Sequence, residues 1–258
     1  MRKLLLLLAA IPFPQSVLYV IERFSALKQG RGWGSATIIQ EINRCVSVLK
    51  DSPNIVIDIG ANKGLYSQEL LNRYPKANFY LFEPSFSNIQ ILHKKFGANK
   101  NFKIYQKAVS NATGQAKLYS DEEGSGLASL TKRNLNHFSM EMNIESNVDT
   151  IRLDEFFLRN LPGLTIDYIK IDIEGHELDA LNGMGGSISD VKIIQFEFGG
   201  CNIDTRTYFQ DFWYFFKSKN FRIYRITPTG CKLISAYKES DEFFMTTNYI
   251  AANNSLVP

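Results

Sequence analysis

Residues 55–64 have the sequence Ile-Val-Ile-Asp-Ile-Gly-Ala-Asn-Lys-Gly. The continuous apolar run is typical of a parallel strand that is buried on both faces, and Asp58 stands at its carboxyl end. A tight turn from Gly60 to Gly64 then opens a helix, whose first amides are available to a ligand. Because doubly wound α/β sheets bind ligands beyond the carboxyl ends of their strands, this turn is a candidate ligand site.

The spacing of the glycines indicates the kind of ligand. Gly60 and Gly64 form Gly-x-x-x-Gly, whereas dinucleotide-binding folds carry Gly-x-Gly-x-x-Gly around the pyrophosphate. The next apolar run, residues 78–83, ends in Glu83, close to where such folds place a ribose-binding acid. A carboxylate there can accept charge-assisted hydrogen bonds from both ribose hydroxyls. Together with Asp58, it favours an adenosine ligand without a pyrophosphate, and S-adenosyl-L-methionine fits.

The composition of the chain indicates its broad structural class. The chain has 258 residues, 45% of them hydrophobic, which suits one α/β domain over residues 53–258 behind an N-terminal helical extension over residues 1–52. A net charge of +3 without a Lys/Arg run gives no indication of a nucleic-acid partner. Cys45, Cys201 and Cys231 lack Cys-x-x-Cys spacing and are predicted to be free, structural thiols.

The amino terminus resembles a signal peptide, because Arg2 and Lys3 precede the apolar residues 4–10. The run is too short to span a bilayer, Pro12 and Pro14 interrupt it, and no small-x-small cleavage site follows. We therefore expect a cytoplasmic protein whose apolar arm packs on the domain. Export is one alternative, and weak contact of residues 4–13 with the inner face of a membrane is another.

Strands and helices alternate from residue 55 onward, and two helical patterns precede them. Residues 16–29 and 35–50 have helical spacing and are expected to cover the sheet edge or the cofactor mouth. The remaining alternation predicts a mostly parallel, seven-stranded sheet with helices on both faces and an antiparallel last strand over residues 243–251. The third strand, residues 102–109, ends at Ala108 and Val109, where an adenine ring would lie.

Residues 111–152 break this alternation with turn residues and short strand signals at 116–119, 127–131 and 148–152. A long insertion of this kind is more often a lid or substrate loop than disorder. A plain surface hairpin is the alternative.

A second charged segment, residues 167–177, contains the strand predicted to lie beside the first. Period-two alternation places Lys170 and Asp172 on one face, and Glu174 follows the strand end. Glu197 ends the next strand, so these carboxylates are expected to gather near the transferred group. Carboxylates that share a site with a lysine have shifted pKa values, which is how a general base is tuned.

Each of these residues also has a structural interpretation. Lys170 and Asp172 could form a structural ion pair, Glu174 could cap the following helix, and His176 could be an exposed helix residue. Asp172 is the first choice for a residue that touches the ligand. No His/carboxylate spacing requires a divalent metal, and none is expected.

Several segments together resemble the FkbM family of S-adenosylmethionine-dependent methyltransferases. The segments are 56–67 (VIDIGANKGLYS), 82–84 (FEP), 108–110 (AVS), 124–130 (GSGLASL), 148–156 (VDTIRLDEF), 166–178 (IDYIKIDIEGHEL), 193–198 (IIQFEF) and 248–250 (NYI). The resemblance covers about residues 54–251 and implies a class I Rossmann-like fold and O-methylation, often of sugar hydroxyls. The first 50 residues depart from the family's pattern.

The motifs and the resemblance together predict two sets of site residues. The cofactor set is Asp58, Gly60, Asn62, Gly64, Glu83, Ala108 and Val109. The catalytic set is Lys170, Asp172, Glu174 and His176.

The predicted reaction is methyl transfer from S-adenosyl-L-methionine to a hydroxyl of a small-molecule or glycan acceptor. A non-catalytic nucleotide- or glycan-binding protein is the alternative, although the retained charges disfavour it. A dinucleotide oxidoreductase is opposed by the glycine spacing.

Overall fold

The structure is a computed structural model and describes residues 12–33 and 38–257. Its helices are α1 (Gln15–Lys28), α2 (Ile38–Leu49), α3 (Leu65–Arg73), α4 (Phe86–Phe96), α5 (Leu153–Asn160), α6 (Glu177–Asn182), α7 (Cys201–Thr205) and α8 (Phe209–Ser218). Its strands are β1 (Ile55–Ile59), β2 (Asn78–Phe82), β3 (Phe102–Tyr105), β4 (Ala108–Val109), β5 (Gly114–Ser120), β6 (Ile144–Ile151), β7 (Ile166–Ile171), β8 (Val191–Phe198), β9 (Phe221–Thr227), β10 (Gly230–Ile234) and β11 (Thr247–Asn253).

The central sheet has eight strands in the order β10-β9-β11-β8-β7-β1-β2-β3. Strands β3, β2, β1, β7 and β8 are parallel, and β11 is antiparallel to both β8 and β9. This confirms the predicted α/β fold with a mostly parallel sheet and an antiparallel last strand. The eighth strand, β10, was not predicted; it pairs with β9 through a tight turn in which Gly230 and Thr227 exchange hydrogen bonds.

Alternation along the strands divides the core between the two faces of the sheet. On one face, Ile57 and Ile59 pack with the apolar residues of α5, α6 and α8. On the other face, Val56 packs with residues of α2, α3 and α4. Because both faces are covered by helices, the parallel strands are mainly apolar on both faces, as residues 55–59 are apart from Asp58.

The insertion between β3 and α5 forms a second, three-stranded sheet in the order β4-β6-β5. The prediction of one strand over residues 102–109 is therefore wrong: the chain leaves the main sheet after Tyr105, where the Lys107 amide donates to the Tyr105 carbonyl over 2.9 Å. Ala108 and Val109 pair instead with Thr150 and Ile151 of β6. The short strand expected at residues 127–131 is a single bridge between Ser129 and Tyr119.

The two N-terminal helices differ in how they pack. In α2, Ile42, Cys45 and Leu49 are buried against the sheet, as predicted. In α1 the predicted covering role is wrong, since its apolar residues face solvent. Most of the apolar arm at residues 4–13 lies outside the described residues. Within the described ranges, no helix is both long and apolar enough to cross a membrane.

Candidate active site

A cavity of about 580 Å³ lies beyond the carboxyl ends of β1, β2, β7 and β8. Its floor contains the turn after β1, and residues 125–130 of the insertion line the opposite side. We call residues 125–133 the roof segment. The volume is in the range of small-molecule sites, and the position is where doubly wound sheets bind ligands.

The turn after β1 depends on Gly60. Its φ is +79°, and a Cβ atom there would lie 1.9 Å from the Asp172 carbonyl oxygen, so only glycine lets β1 and β7 end this close together. The Gly60 and Ala61 amides both donate to the Phe82 carbonyl, over 2.9 and 3.0 Å. The turn is thus fixed to β2, and Gly60 lines the cavity without offering a free amide.

Glu83 is buried at the cavity wall and orders the turn. Its Oε2 accepts a 2.8 Å hydrogen bond from the Asn62 amide, and its Oε1 accepts a 2.9 Å bond from the Ser85 amide. Burial raises the pKa of the Glu83 carboxyl, and these backbone bonds oppose the rise. Asn62 adopts φ +47° and also lines the cavity, where its buried side-chain Oδ1 has no hydrogen-bond partner among the described residues.

Two predicted cofactor residues lie outside the cavity lining. Asp58 is buried beneath it and accepts a 2.6 Å hydrogen bond from Ser67 Oγ. Its pKa is raised by burial, against the opposing effect of the Lys170 charge on the neighbouring strand. Gly64 begins α3 at φ +70°, where a Cβ atom would meet Phe96 at 2.6 Å. Both residues therefore contribute to the packing around the turn and not to the cavity surface.

The apolar end of the cavity lies at the start of the insertion. Ala108 and Val109 line it, together with Phe82 and Leu118. Ala108 and Val109 are buried, so the short strand β4 contributes its two side chains to the wall as well as pairing with β6.

Lys170 and Asp172 form an ion pair on the cavity floor. The Lys170 Nζ lies 2.7 Å from Asp172 Oδ2 and 4.8 Å from the centre of the Tyr66 ring. Burial acts to lower the pKa of Lys170, but the Asp172 and Asp58 carboxylates outweigh it, so the pKa is raised. The lysine therefore stays charged. The Asp172 side chain is 37% exposed, and it lines the cavity.

Glu174 connects the floor to the roof segment. Its Oε2 lies 2.5 Å from Arg133 Nη1, and its carbonyl accepts a 2.8 Å hydrogen bond from Ser129 Oγ. Burial, reinforced by the nearby Asp172 charge, raises the pKa of Glu174 to about 8, although Arg133 opposes the shift. Arg133 also contacts Asp204 over 3.3 Å, which orients its guanidinium group.

His176 is held by a hydrogen bond at each ring nitrogen. Nδ1 lies 2.9 Å from Asp179 Oδ2, and Nε2 lies 3.0 Å from Thr131 Oγ1 of the roof segment. The ring lines the cavity, but both of its nitrogens are already hydrogen-bonded to protein side chains. The alternative interpretation of His176 as an exposed helix residue is wrong, because the side chain is largely buried.

Glu197 lines the cavity from β8, opposite Asn248 of β11. Its side chain has no hydrogen bond or ion pair with any residue in the described ranges. Burial first, and then the Asp172 and Glu174 charges, raise its pKa well above the usual range of a carboxyl group. Its place at a strand end was the only sequence signal for it, and it is absent from the predicted set of catalytic residues.

A polar network that sequence reasoning missed lies under the floor, around Gln195. The Gln195 Oε1 accepts hydrogen bonds from Tyr168 and Tyr66, and its Nε2 donates to Glu41 over 2.7 Å and to Asn248 over 3.1 Å. Glu41 and Asn248 also line the cavity. The network joins α2, β7, β8 and β11, and such long-range pairings leave no local pattern in the sequence.

This strand order and this cavity define a class I methyltransferase fold. Residues 58–223, well over half of the chain, match the model of the methyltransferase FkbM domain. The chain therefore belongs to that family, as the sequence motifs predicted.

Two characterised relatives are similar at the sequence level. One is the 2-O-methyltransferase NoeI of Sinorhizobium fredii, 26% identical over 163 residues, which cover 59% of this chain and 66% of the relative. The other is methyltransferase 1 of Beauveria bassiana, also 26% identical over 163 residues, covering 55% of this chain and 64% of the relative. The chain thus spans just under two thirds of each relative's length.

Solved structures show more distant similarity. The methyltransferase FkbM of Methylobacillus flagellatus matches with a TM-score of 0.45 at 13% identity, covering 92% of this chain and 60% of that one. TrmK of M. capricolum, solved with S-adenosyl-homocysteine, matches with a TM-score of 0.43 at 14% identity. The match covers 83% of this chain and 69% of TrmK. TM-scores this low carry no functional detail to this chain.

Proposed function

We propose that the chain is an S-adenosyl-L-methionine-dependent methyltransferase that acts on a hydroxyl group of a sugar, a glycan or a secondary metabolite. One observation carries the proposal: a single cavity has an ordered carboxylate, Glu83, on one wall and the carboxylates of Asp172, Glu174 and Glu197 on another. Family membership supports methyl transfer. The name of the relative NoeI, a 2-O-methyltransferase, motivates the choice of a hydroxyl acceptor.

The residues of the cavity fit the proposed cofactor. Glu83 is fixed by two backbone amides and retains lone pairs that can accept hydrogen bonds from ribose hydroxyls. The unpartnered, buried Oδ1 of Asn62 offers a further acceptor at the same wall. Ala108 and Val109 provide an apolar surface for an adenine ring. When bound, the cofactor supplies a methyl group carried on a positively charged sulfonium.

We assign different roles in proton transfer to two carboxyl groups that line the cavity, those of Asp172 and Glu197. The Asp172 carboxylate lines the cavity, is 37% exposed and is positioned by the Lys170 ammonium at 2.7 Å, so we assign Asp172 as the base that takes the proton of the acceptor hydroxyl. Glu197 has a raised pKa and favours its neutral form, in which its O–H can donate a hydrogen bond to the acceptor. The roof segment lines the cavity and is held by hydrogen bonds to Glu174 and His176.

Cofactor binding is tested at Glu83 by calorimetry with S-adenosyl-L-methionine and its demethylated product. Glu83→Gln keeps the shape and removes the charge, so we expect roughly tenfold weaker binding. Glu239→Gln, at an exposed glutamate away from the cavity, is the matched control and should bind as wild type does. An unchanged affinity in Glu83→Gln, or tighter binding of NAD than of either ligand, contradicts the assignment.

Catalysis is tested at Asp172 with labelled cofactor and a panel of sugars and oligosaccharides, analysed by mass spectrometry. Asp172→Asn should lower turnover by about 10²–10⁴-fold while cofactor affinity stays within a few-fold of wild type. Melting temperature is measured on the same preparation, since loss of the Lys170 partner could instead unfold the protein. A stable Asn variant with near-normal turnover removes Asp172 from the mechanism. Binding without any methylated product would favour the non-catalytic alternative.

A further inference from the structure

Helix α1 presents an apolar stripe to solvent. Val17, Val20, Ile21 and Phe24 follow helical spacing and share one face. Their side chains are between 41% and 63% exposed, and Phe13 before the helix and Leu18 and Tyr19 on its other faces are exposed to a similar degree. A cluster of large apolar side chains on one helix marks an interaction surface rather than ordinary scattered exposure.

Among the described residues, the contacts of α1 with the domain lie toward its carboxyl end. Arg23 contacts the Met245 sulfur over 3.1 Å, and Ala26 is buried. After the helix, Gly30 packs so closely on β9 that a Cβ atom would lie 2.1 Å from the Ile226 carbonyl, and the Gly32 amide donates to Thr247 Oγ1 over 3.3 Å. The first turns of α1 therefore extend from the domain with their apolar face uncovered.

The charged residues in α1 and in the turn after it are mainly basic, although Arg23 and Arg31 also contact the domain. Arg23, Lys28 and Arg31 lie in or directly after α1, and Glu22 is the one acidic residue of the helix. In the sequence before the helix, Arg2 and Lys3 precede the apolar residues 4–11. Apolar and aromatic side chains flanked by lysine and arginine are complementary to an anionic membrane surface.

The attachment point of α1 is beside the cavity. Met245, which contacts Arg23, is followed by Thr246, a residue of the cavity wall, and the first residue of α2, Ile38, also lines the cavity. A surface that holds α1 would therefore lie near the cavity.

We propose that α1 is an interfacial helix that lies in the surface of an anionic lipid bilayer, with Val17, Val20, Ile21 and Phe24 inserted among the lipid headgroups and upper acyl chains. At 14 residues, the helix is about 21 Å long, enough to lie along the surface. The inserted helix holds the cavity next to the membrane, where it can receive an acceptor that is carried on a lipid.

The test is flotation of the full chain with lipid vesicles, without cofactor or acceptor, so that its outcome is independent of the proposed function. We expect binding to vesicles of phosphatidylcholine mixed with phosphatidylglycerol, weaker binding to phosphatidylcholine alone, and a decrease with added salt. The double variant Val20→Glu/Phe24→Glu should partition at least roughly tenfold less. Leu158→Glu is the matched control, because Leu158 is 76% exposed on α5 and should leave binding unchanged.

Three results would overturn the proposal. The first is that wild type does not bind either vesicle. The second is that the double variant floats as well as wild type, which would assign any membrane contact to another part of the chain. The third is a dimer, seen by analytical ultracentrifugation, that the double variant dissociates while vesicle binding is absent; the stripe would then join two copies of this chain. Circular dichroism of both variants checks that the fold is retained.

Discussion

The backbone conformation and the side-chain contact of Glu174 both connect it to the roof segment and to the His176 motif. It adopts φ +54°, which directs the chain into Gly175, and its carboxylate meets Arg133 of the roof segment. Non-glycine residues rarely adopt such a conformation, and those that do concentrate at functional sites. The contact with Arg133 therefore fixes both the roof segment and the motif that carries His176.

The raised pKa of Glu174 predicts a specific pH dependence of stability. Between its ordinary value of 4.5 and its folded value of about 8, the folded protein holds a proton that the unfolded chain has lost. This group therefore contributes stability below that window, and the contribution is lost as pH rises through it. Glu174→Gln removes the titration, so the melting temperature of the variant relative to wild type should increase from about pH 5 to about pH 9.

The measurement is thermal unfolding of both proteins across this range, with Glu239→Gln as the exposed control. A relative melting temperature that does not change with pH would contradict the buried, proton-holding state of Glu174.

At single residues, the sequence predicts the site best where a polar side chain ends a buried strand. Glu83 and Asp172 were found in this way, and both line the cavity. Arg133 was not predicted, because its partner, Glu174, is 41 residues away and only the folded insertion brings the two together. Asp58 was predicted for the same reason, because it lies near the end of a buried strand. Its side chain is buried beneath the cavity, on the face of β1 that period-two alternation gives it.

The turn between β1 and α3 is the element on which the cavity floor depends. Gly60→Ala places a Cβ atom 1.9 Å from the Asp172 carbonyl oxygen and forces an alanine to φ +79°. We expect a loss of about 2 kcal/mol or more in the free energy of unfolding, because steric overlap adds to backbone strain. Chemical denaturation followed by fluorescence measures it.

Gly186→Ala is the control for this prediction. No heavy atom lies within 4 Å of a Cβ at Gly186, and its φ is not in the left-handed region, so its stability should change by less than about 1 kcal/mol. Equal effects of the two substitutions would show that the close approach of β1 and β7 has no special cost.

Among the elements, the central strands buried on both faces were predictable, whereas the strands of the insertion and the sheet edge were predicted only in part. The parallel strands are buried on both faces, so their apolar runs are unambiguous. By contrast, β4 has two residues, and its pairing with β6 depends on a partner more than 40 positions along the chain. In β10, the exposed Lys232 and Leu233 carry no clear alternation, which explains why the eighth strand was missed.

The packing of the whole chain predicts the reactivity of its three thiols. Cys45 is fully buried on one side of the sheet, Cys201 is buried near the cavity, and Cys231 is half-buried on β10. Burial raises the pKa of all three thiols and so lowers the fraction of reactive thiolate. In native buffer, we expect alkylation at Cys231 well before Cys45 and Cys201.

Mass spectrometry after alkylation without reductant measures this order, and full labelling in denaturant is the reference. Three labels are expected in denaturant, since each cysteine is a free thiol. Labelling of Cys45 as fast as Cys231 in native buffer would show that α2 separates readily from the sheet.

The small sheet of the insertion has a consequence for how the length of the segment over the cavity can change. Ser120 and Ile144 face each other in the β5–β6 ladder, so residues 121–143 leave and rejoin it at one paired position. Lengthening a loop whose ends already meet costs little additional closure entropy. Insertions or deletions between residues 121 and 143, the stretch that includes the roof segment, should therefore leave the pairing of β5 with β6 intact.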